Sequence, residues 1–237
     1  MEPKIDVVVL ISADIEWKVV RNVFPLIRVN LSPFGEYFRY PPELLTSNQQ
    51  VILFNGGWGK ISAAASTQYV IDRWKPKLLI NLGTCGGFEG KIERGTLILV
   101  ERTIVYDIYE QMGDLEAHIT YYTTNLDLSW LRKPYPDEVV KTLLVSGDRD
   151  LNPEEVKGLN EKYGAVAGDW ESGAIAYVAN CNQMPCLILR GVSDLVSEIG
   201  GEAYDDISLF KDSANSIIAQ LLKSLPEWID QADVFID

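Results

Sequence analysis

Residues 51–87, VILFNGGWGKISAAASTQYVIDRWKPKLLINLGTCGG, decide the fold. Positions 51–54 form a short apolar run rich in branched side chains, the pattern of a buried strand. The glycine-rich segment 56–60 follows, then a helix over 61–74 that Pro76 ends. Positions 77–82 read as a second strand, running into a glycine-rich turn at 83–87. The same alternation extends outward. Residues 7–11 predict a strand and 14–24 a helix stopped by Pro25, while 30–50, with Pro33, Pro41 and Pro42, reads as irregular. Strands are predicted at 96–100, 103–106, 141–146 and 186–190, and helices at 153–162, 170–181 and 207–225. The tyrosine-rich stretch 107–137 is a long excursion of weak periodicity. Apolar strands alternating with helices predict an α/β fold with a mainly parallel central sheet and helices on both faces. No repeat or linker divides the chain, so residues 1–237 are expected to form a single domain. In such folds ligands sit beyond the carboxyl ends of the strands. The residues just after each strand are therefore the candidates for chemistry.

Bulk properties exclude several classes. With 237 residues, 47% of them apolar, the chain can bury a core without metals or disulfides. A net charge of −13 opposes nucleic acid and anionic membrane as partners. No apolar run approaches the ~20 residues of a membrane helix. Three cysteines, Cys85, Cys181 and Cys186, with no CxxC pair do not make a disulfide framework. The first six residues lack the features of a signal peptide. A cytoplasmic protein is expected.

Glu16 stands in the first turn of the helix after the first strand, where the helix amino-terminal charge favours an ionised carboxylate able to act as a base. Glu171 opens another helix with Asp169 as its candidate N-cap, and shares a face with Ile175 and Val178. A carboxylate leading an apolar stripe could point into a pocket and accept two hydrogen bonds from neighbouring hydroxyls, as a ribose diol would offer. Asp194 follows the strand at 186–190, where partial burial would raise its pKa and make it a proton donor. Each of these also has a plain reading as a helix-start or turn acid, which position alone leaves open. Arg190, the charged residue of its strand, calls for an acid or a polar ligand. The turn at 83–87 allows close backbone approach to a ligand, making Gly83, Thr84 and Cys85 candidate contacts. Segment 56–62 fails the phosphate-loop pattern, since Phe54 stands where its first glycine belongs and Ile61 follows Lys60. His118 is the lone histidine, in the weakly patterned excursion, which disfavours a catalytic triad or a histidine metal site.

Five patches together resemble the nucleoside phosphorylase and nucleosidase superfamily, and within it most resemble the methylthioadenosine/S-adenosylhomocysteine nucleosidases. They are Ile11-Ser12-Ala13-Asp14-Ile15-Glu16; Gly57-Trp58-Gly59-Lys60-Ile61-Ser62-Ala63-Ala64; Ile80-Asn81-Leu82-Gly83-Thr84-Cys85-Gly86-Gly87; Ser146-Gly147-Asp148; and Asp169-Trp170-Glu171 through Arg190-Gly191-Val192-Ser193-Asp194. The resemblance implies a three-layer α/β/α sandwich around a twisted mixed, mainly parallel sheet. It implies that Asp194 protonates the purine at N7 and that Glu171 holds the ribose hydroxyls. Glu16 would activate water with help from Arg190 and Thr84, and Ser193 would support Asp194. No metal or cofactor is called for. A homodimer is implied through residues 106–122, the region that reaches a neighbouring pocket in relatives. Asn81 stands where phosphorylases of the hexameric type carry a phosphate-binding arginine, which implies hydrolysis. The acid at 194 goes with 6-aminopurines, so a 5′-substituted adenosine is the expected substrate.

Two departures concern the pocket. The family's E-M-E is Asp169-Trp170-Glu171, with Trp170 in place of the methionine that packs on the sugar. After Ser146-Gly147-Asp148 come Arg149 and Asp150, where the family has the aromatic that stacks on the base; Leu151 still offers backbone groups to the base. The competing readings are a phosphorylase, a nucleosidase for another nucleoside, and a nucleoside-binding protein without catalysis.

Overall fold

A computed structural model describes residues 4–204 and 206–235. The strands and helices follow in the order β1 (Val7–Ile11), α1 (Asp14–Val23), β2 (Asn30–Leu31), β3 (Glu36–Arg39), β4 (Val51–Asn55), α2 (Gly59–Trp74), β5 (Leu78–Phe88) and β6 (Leu97–Val105). Then come α3 (Leu115–Tyr121), β7 (Thr123–Asn125), β8 (Val139–Ser146), α4 (Pro153–Tyr163), β9 (Ala167–Asp169), α5 (Ser172–Cys181), β10 (Cys186–Ser197), β11 (Gly200–Gly201) and α6 (Ile207–Asp230).

β1 is buried along its whole length and pairs in parallel with β4 on one side and β5 on the other. Its alternating side chains divide the core. Val7, Val9 and Ile11 pack with Trp17 and Val20 of α1 and with Ile218, Leu221 and Leu225 of α6. Val8 and Leu10 pack with Val70 and Ile71 of α2 and with Ile175 and Ala176 of α5. A period of two facing two helical layers gives the α/β/α sandwich. Beyond β5 the sheet closes on itself. β10 runs parallel to β5 and antiparallel to β6, β6 pairs with β8, β8 with the three-residue β9, and β9 returns to β5. A third apolar cluster, containing Phe88, Ile104, Val145, Leu151 and Val156, fills this ring where α4 covers it.

Several elements differ from the sequence reading. The segment 83–87 is not a turn. β5 continues through it to Phe88, because Gly86 and Gly87 pair with β9 on one side and β10 on the other. β10 likewise runs on past Arg190 through Asp194, with a register shift between Val192 and Asp194. The two strands predicted at 96–100 and 103–106 are one, β6, with Glu101 and Arg102 between them at its bulge. Segment 30–50 carries β2 and β3, and the excursion carries α3 and β7. α5 starts at Ser172, so Glu171 is its N-cap residue and Asp169 ends β9.

Candidate active site

A cavity of about 500 Å³ opens at the carboxyl ends of β5, β9 and β10. Glu16, Glu171 and Asp194, separated by up to most of the chain, all line it, together with Thr84, Cys85, Leu151, Trp170 and Ser193. Gly83 and Arg190 are not among its lining residues: Gly83 is no direct ligand contact here, and Arg190 takes the acid rather than the ligand of the two partners its sequence position left open. Gly83 lies beneath the Arg190 guanidinium, where an added Cβ would come within 1.7 Å of Nη1. Only a glycine lets the arginine lie there, so Gly83 serves the arginine rather than the ligand.

Arg190 is fully buried in β10 and is held from several sides. Its Nη2 meets Asp169 Oδ2 at 2.8 Å and donates to Asn81 Oδ1 at 2.7 Å; its Nε donates to Ser172 Oγ at 2.9 Å. Burial works against its charge, yet the Asp169, Glu16 and Glu171 carboxylates outweigh burial and raise its pKa. Asp169 also accepts hydrogen bonds from the Ser172 amide (3.1 Å) and from Ser146 Oγ (2.6 Å). It therefore satisfies the start of α5 from two residues before the N-cap position. Asn81 completes the group by donating to the Leu10 carbonyl at 3.0 Å.

Glu16 occupies the third position of α1, and its side chain turns back to the Ala13 amide (3.3 Å). Its other oxygen accepts the Thr84 amide at 2.6 Å and the Thr84 hydroxyl at 2.8 Å. Burial raises its pKa above the ordinary value, against the opposing pull of Arg190 and of the Thr84 and Ala13 donors. The helix-start argument for a readily ionised group is thus overridden by desolvation. Glu171 is 6% exposed and accepts the Gly59 amide at 3.1 Å. Burial, then the neighbouring Asp169 charge, pushes its pKa up to about 8. The pKa of Asp194 is raised by burial and further by the Glu202 and Asp150 carboxylates, against the hydrogen bond from Ser193 Oγ at 2.6 Å. Ser193 Oγ also lies 3.1 Å from the Cys85 carbonyl. The Cys85 thiol is buried and its pKa pushed up, so it is no nucleophile.

The raised Glu171 pKa has a measurable consequence. The folded protein holds more protons than the unfolded chain from about pH 4.5 to about pH 8, so this group's contribution to stability falls as pH rises through that window. Glu171→Gln is expected to melt progressively higher than the parent as pH is raised across it, and to gain nothing more above it. Each ~1 kcal/mol relieved appears as about 2–4 °C in Tm. A difference in Tm that stays flat with pH would contradict the assignment.

Sequence reasoning missed part of the wall. Trp58, the N-cap residue of α2, stacks on Trp170 with ring centroids 5.2 Å apart. Tyr204, Ile207 and Phe210 enter from the start of α6 and the segment before it, a region with no strand period to flag it. The Tyr204 hydroxyl donates to the Leu151 carbonyl. Six carboxylates line the cavity, those of Asp14, Glu16, Asp150, Asp169, Glu171 and Asp194. Among the described residues the lining holds a single cationic side chain, Arg149, which is paired with Glu155 at 2.6 Å.

Comparison with known proteins agrees with this geometry. The family model described as the phosphorylase superfamily matches residues 25–226. A 5′-methylthioadenosine/S-adenosylhomocysteine nucleosidase of Maridesulfovibrio salexigens is 29% identical over 230 residues, covering 91% of this chain and 98% of that protein. The structure of the Helicobacter pylori enzyme of that name with butyl-thio-DADMe-Immucillin-A shares the fold at a TM-score of 0.75 and 17% identity, over 95% of this chain and 100% of that one. Futalosine hydrolase of Helicobacter pylori does so at 0.75 and 16%, over 94% and 98%. Fold, site and sequence match together establish that the chain belongs to the phosphorylase superfamily.

Proposed function

We propose that the protein is an N-glycosyl hydrolase that releases adenine from a 5′-substituted adenosine such as 5′-methylthioadenosine or S-adenosylhomocysteine. The observation that carries this reading is the convergence of Glu16, Glu171 and Asp194 on one cavity whose lining, among the described residues, has Arg149 as its single cationic side chain, already paired with Glu155. An acid-rich lining suits a sugar that becomes cationic as its bond to the base breaks, and it offers a phosphate dianion no unpaired cationic side chain. The names of the relatives point the same way.

In this reading Asp194 enters the reaction neutral. Its raised pKa, set by burial and the nearby Glu202 and Asp150, supports that state, and Ser193 Oγ holds the side chain in place at 2.6 Å. Asp194 gives its proton to N7 of the purine, the C1′–N9 electron pair leaves with the base, and a water oxygen bonds C1′. The proton of that water goes to Glu16, which Thr84 and Ala13 hold in place. Glu171, anchored by the Gly59 amide, accepts the two ribose hydroxyls. Arg190 acts from behind the wall, holding Asp169 and adding positive potential near Glu16.

The phosphorylase alternative is disfavoured by Asn81, whose amide is engaged on both sides by Leu10 and Arg190. Adenine release from 5′-methylthioadenosine is expected in phosphate-free buffer at the rate seen with phosphate added. Strict dependence on phosphate would overturn hydrolysis, and binding without release would leave only a nucleoside-binding protein. We also infer a cytoplasmic homodimer with no nucleic-acid or membrane partner. Tyr109 and Met112, 78% and 96% exposed in the 106–122 excursion, support the dimer, and the free cysteines support the compartment. No helix among the described residues is long and apolar enough to cross a membrane.

A further inference from the structure

Trp58 is 65% exposed although it lines the cavity, and it lies nearly flat on Trp170, with ring planes 13° apart. An indole left so open to water beside a ligand site is a surface without its partner. Its position is built rather than incidental. Gly57 and Gly59 flank it with φ of +78° and +80°, a backbone course that L side chains rarely adopt. The Lys60 amide donates to Asp148 Oδ1 at 2.7 Å and the Lys60 ammonium binds Asp107, which pins the turn from the far side. The Gly59 amide, next to Trp58, is the one that holds Glu171.

These contacts fix where the indole pair stands relative to Glu171. Glu171 separates Trp170 from Ser172 in the chain, and in the proposed reaction it holds the 2′ and 3′ hydroxyls. The base lies toward Asp194 and Leu151, and the attacking water toward Glu16 and Thr84. Trp58, Ile15, Ile207 and Phe210 supply large apolar lining that this scheme gives to neither the base nor the water, and it is left for the C5′ substituent. We infer that the Trp58–Trp170 pair is a specificity wall that selects adenosines carrying a flat aromatic ring at C5′. The inference rests on the nucleosidase reading above. The two rings lie face to face, so each keeps one face free of its partner, and a planar ring gains more from stacking on such a face than a methyl group or a free hydroxyl does.

The test compares kcat/KM for 5′-phenylthioadenosine, 5′-methylthioadenosine and adenosine in the parent and in Trp58→Leu, which keeps an apolar side chain at an exposed position. The parent is expected to favour the phenylthio compound over the methylthio compound by about tenfold, the scale of one aromatic contact. Trp58→Leu is expected to abolish most of that ratio, chiefly through KM. Trp58→Phe should retain part of it, because a smaller ring still stacks. Equal kcat/KM for the two thioethers in the parent, or a ratio that Trp58→Leu leaves unchanged, overturns the wall while leaving hydrolysis standing. No adenine from any of the three compounds overturns the hydrolase reading itself, and the inference with it.

Discussion

Asp194→Asn is expected to lower kcat for adenine release by about 10²–10⁴-fold, the range that one positioned proton donor supplies. Folding should change little. The amide is the same shape as the acid and can still hydrogen-bond Ser193, whose oxygen lies 2.6 Å from the side chain. Asp194 sits among carboxylates that raise its pKa, so removing a group that resists ionisation does not cost stability at neutral pH. What is lost is the proton, since an amide cannot give one to N7. The measurement is initial rate at saturating 5′-methylthioadenosine, with a melting curve on the same preparation. A variant within a few-fold of the parent would remove Asp194 from the acid role. A variant that is inactive because it unfolds would instead show that Ser193 and the Cys85 carbonyl need the carboxyl group for the integrity of β10.

Arg190→Met is expected to be the most destabilising single change at the site, by about 3–5 kcal/mol, because it strands a buried carboxylate. Asp169 is 8% exposed, and the guanidinium 2.8 Å away is its counter-charge. For a chain of this size the loss corresponds to roughly 6–20 °C in Tm. Adding Asp169→Asn to Arg190→Met should recover part of it, since the amide needs no counter-charge and can still meet Ser172 and Ser146. Thermal denaturation of the two single variants and the double variant measures the coupling. A double variant no more stable than Arg190→Met would mean that packing against Gly83, and not charge pairing, is the arginine's main contribution. Activity should fall in both, because Glu16 loses the positive potential that favours its ionised form.

The chemistry was more legible in the chain than the frame around it. Glu16 and Asp194 were legible because each comes after an apolar run that marks a strand, whereas Glu171 read only as a helix-start acid, and it was the resemblance to the superfamily that joined the three. The ring closure was not legible. It depends on β9, three residues long, and on glycines at 83, 86 and 87 that read locally as a turn. Their extended path is imposed by neighbours far along the chain, Gly168 and the β10 segment around Asp194. The same holds for Arg190. Its strand revealed a charge needing a partner, but Asp169 looked like a helix cap, a role it also fills. The local signal was sound and incomplete. Tyr204, Ile207 and Phe210 escaped notice for a different reason: they belong to the approach and first turn of a helix whose period is set by the face it buries elsewhere, and cavity contact leaves no period of its own.

The closed ring of β5, β10, β6, β8 and β9 divides the molecule into a conservative part and a permissive one. Thr84, Asp169, Ser193 and Asp194 belong to strands that are laterally bonded to one another, so none can shift without disturbing the rest. Trp58, Arg149, Asp150 and Tyr204 stand on connections outside that closure. A substitution at those rim positions therefore disturbs fewer strand pairings than one at Thr84, Asp169, Ser193 or Asp194, so the outline of the cavity can be altered with the ring left as it is.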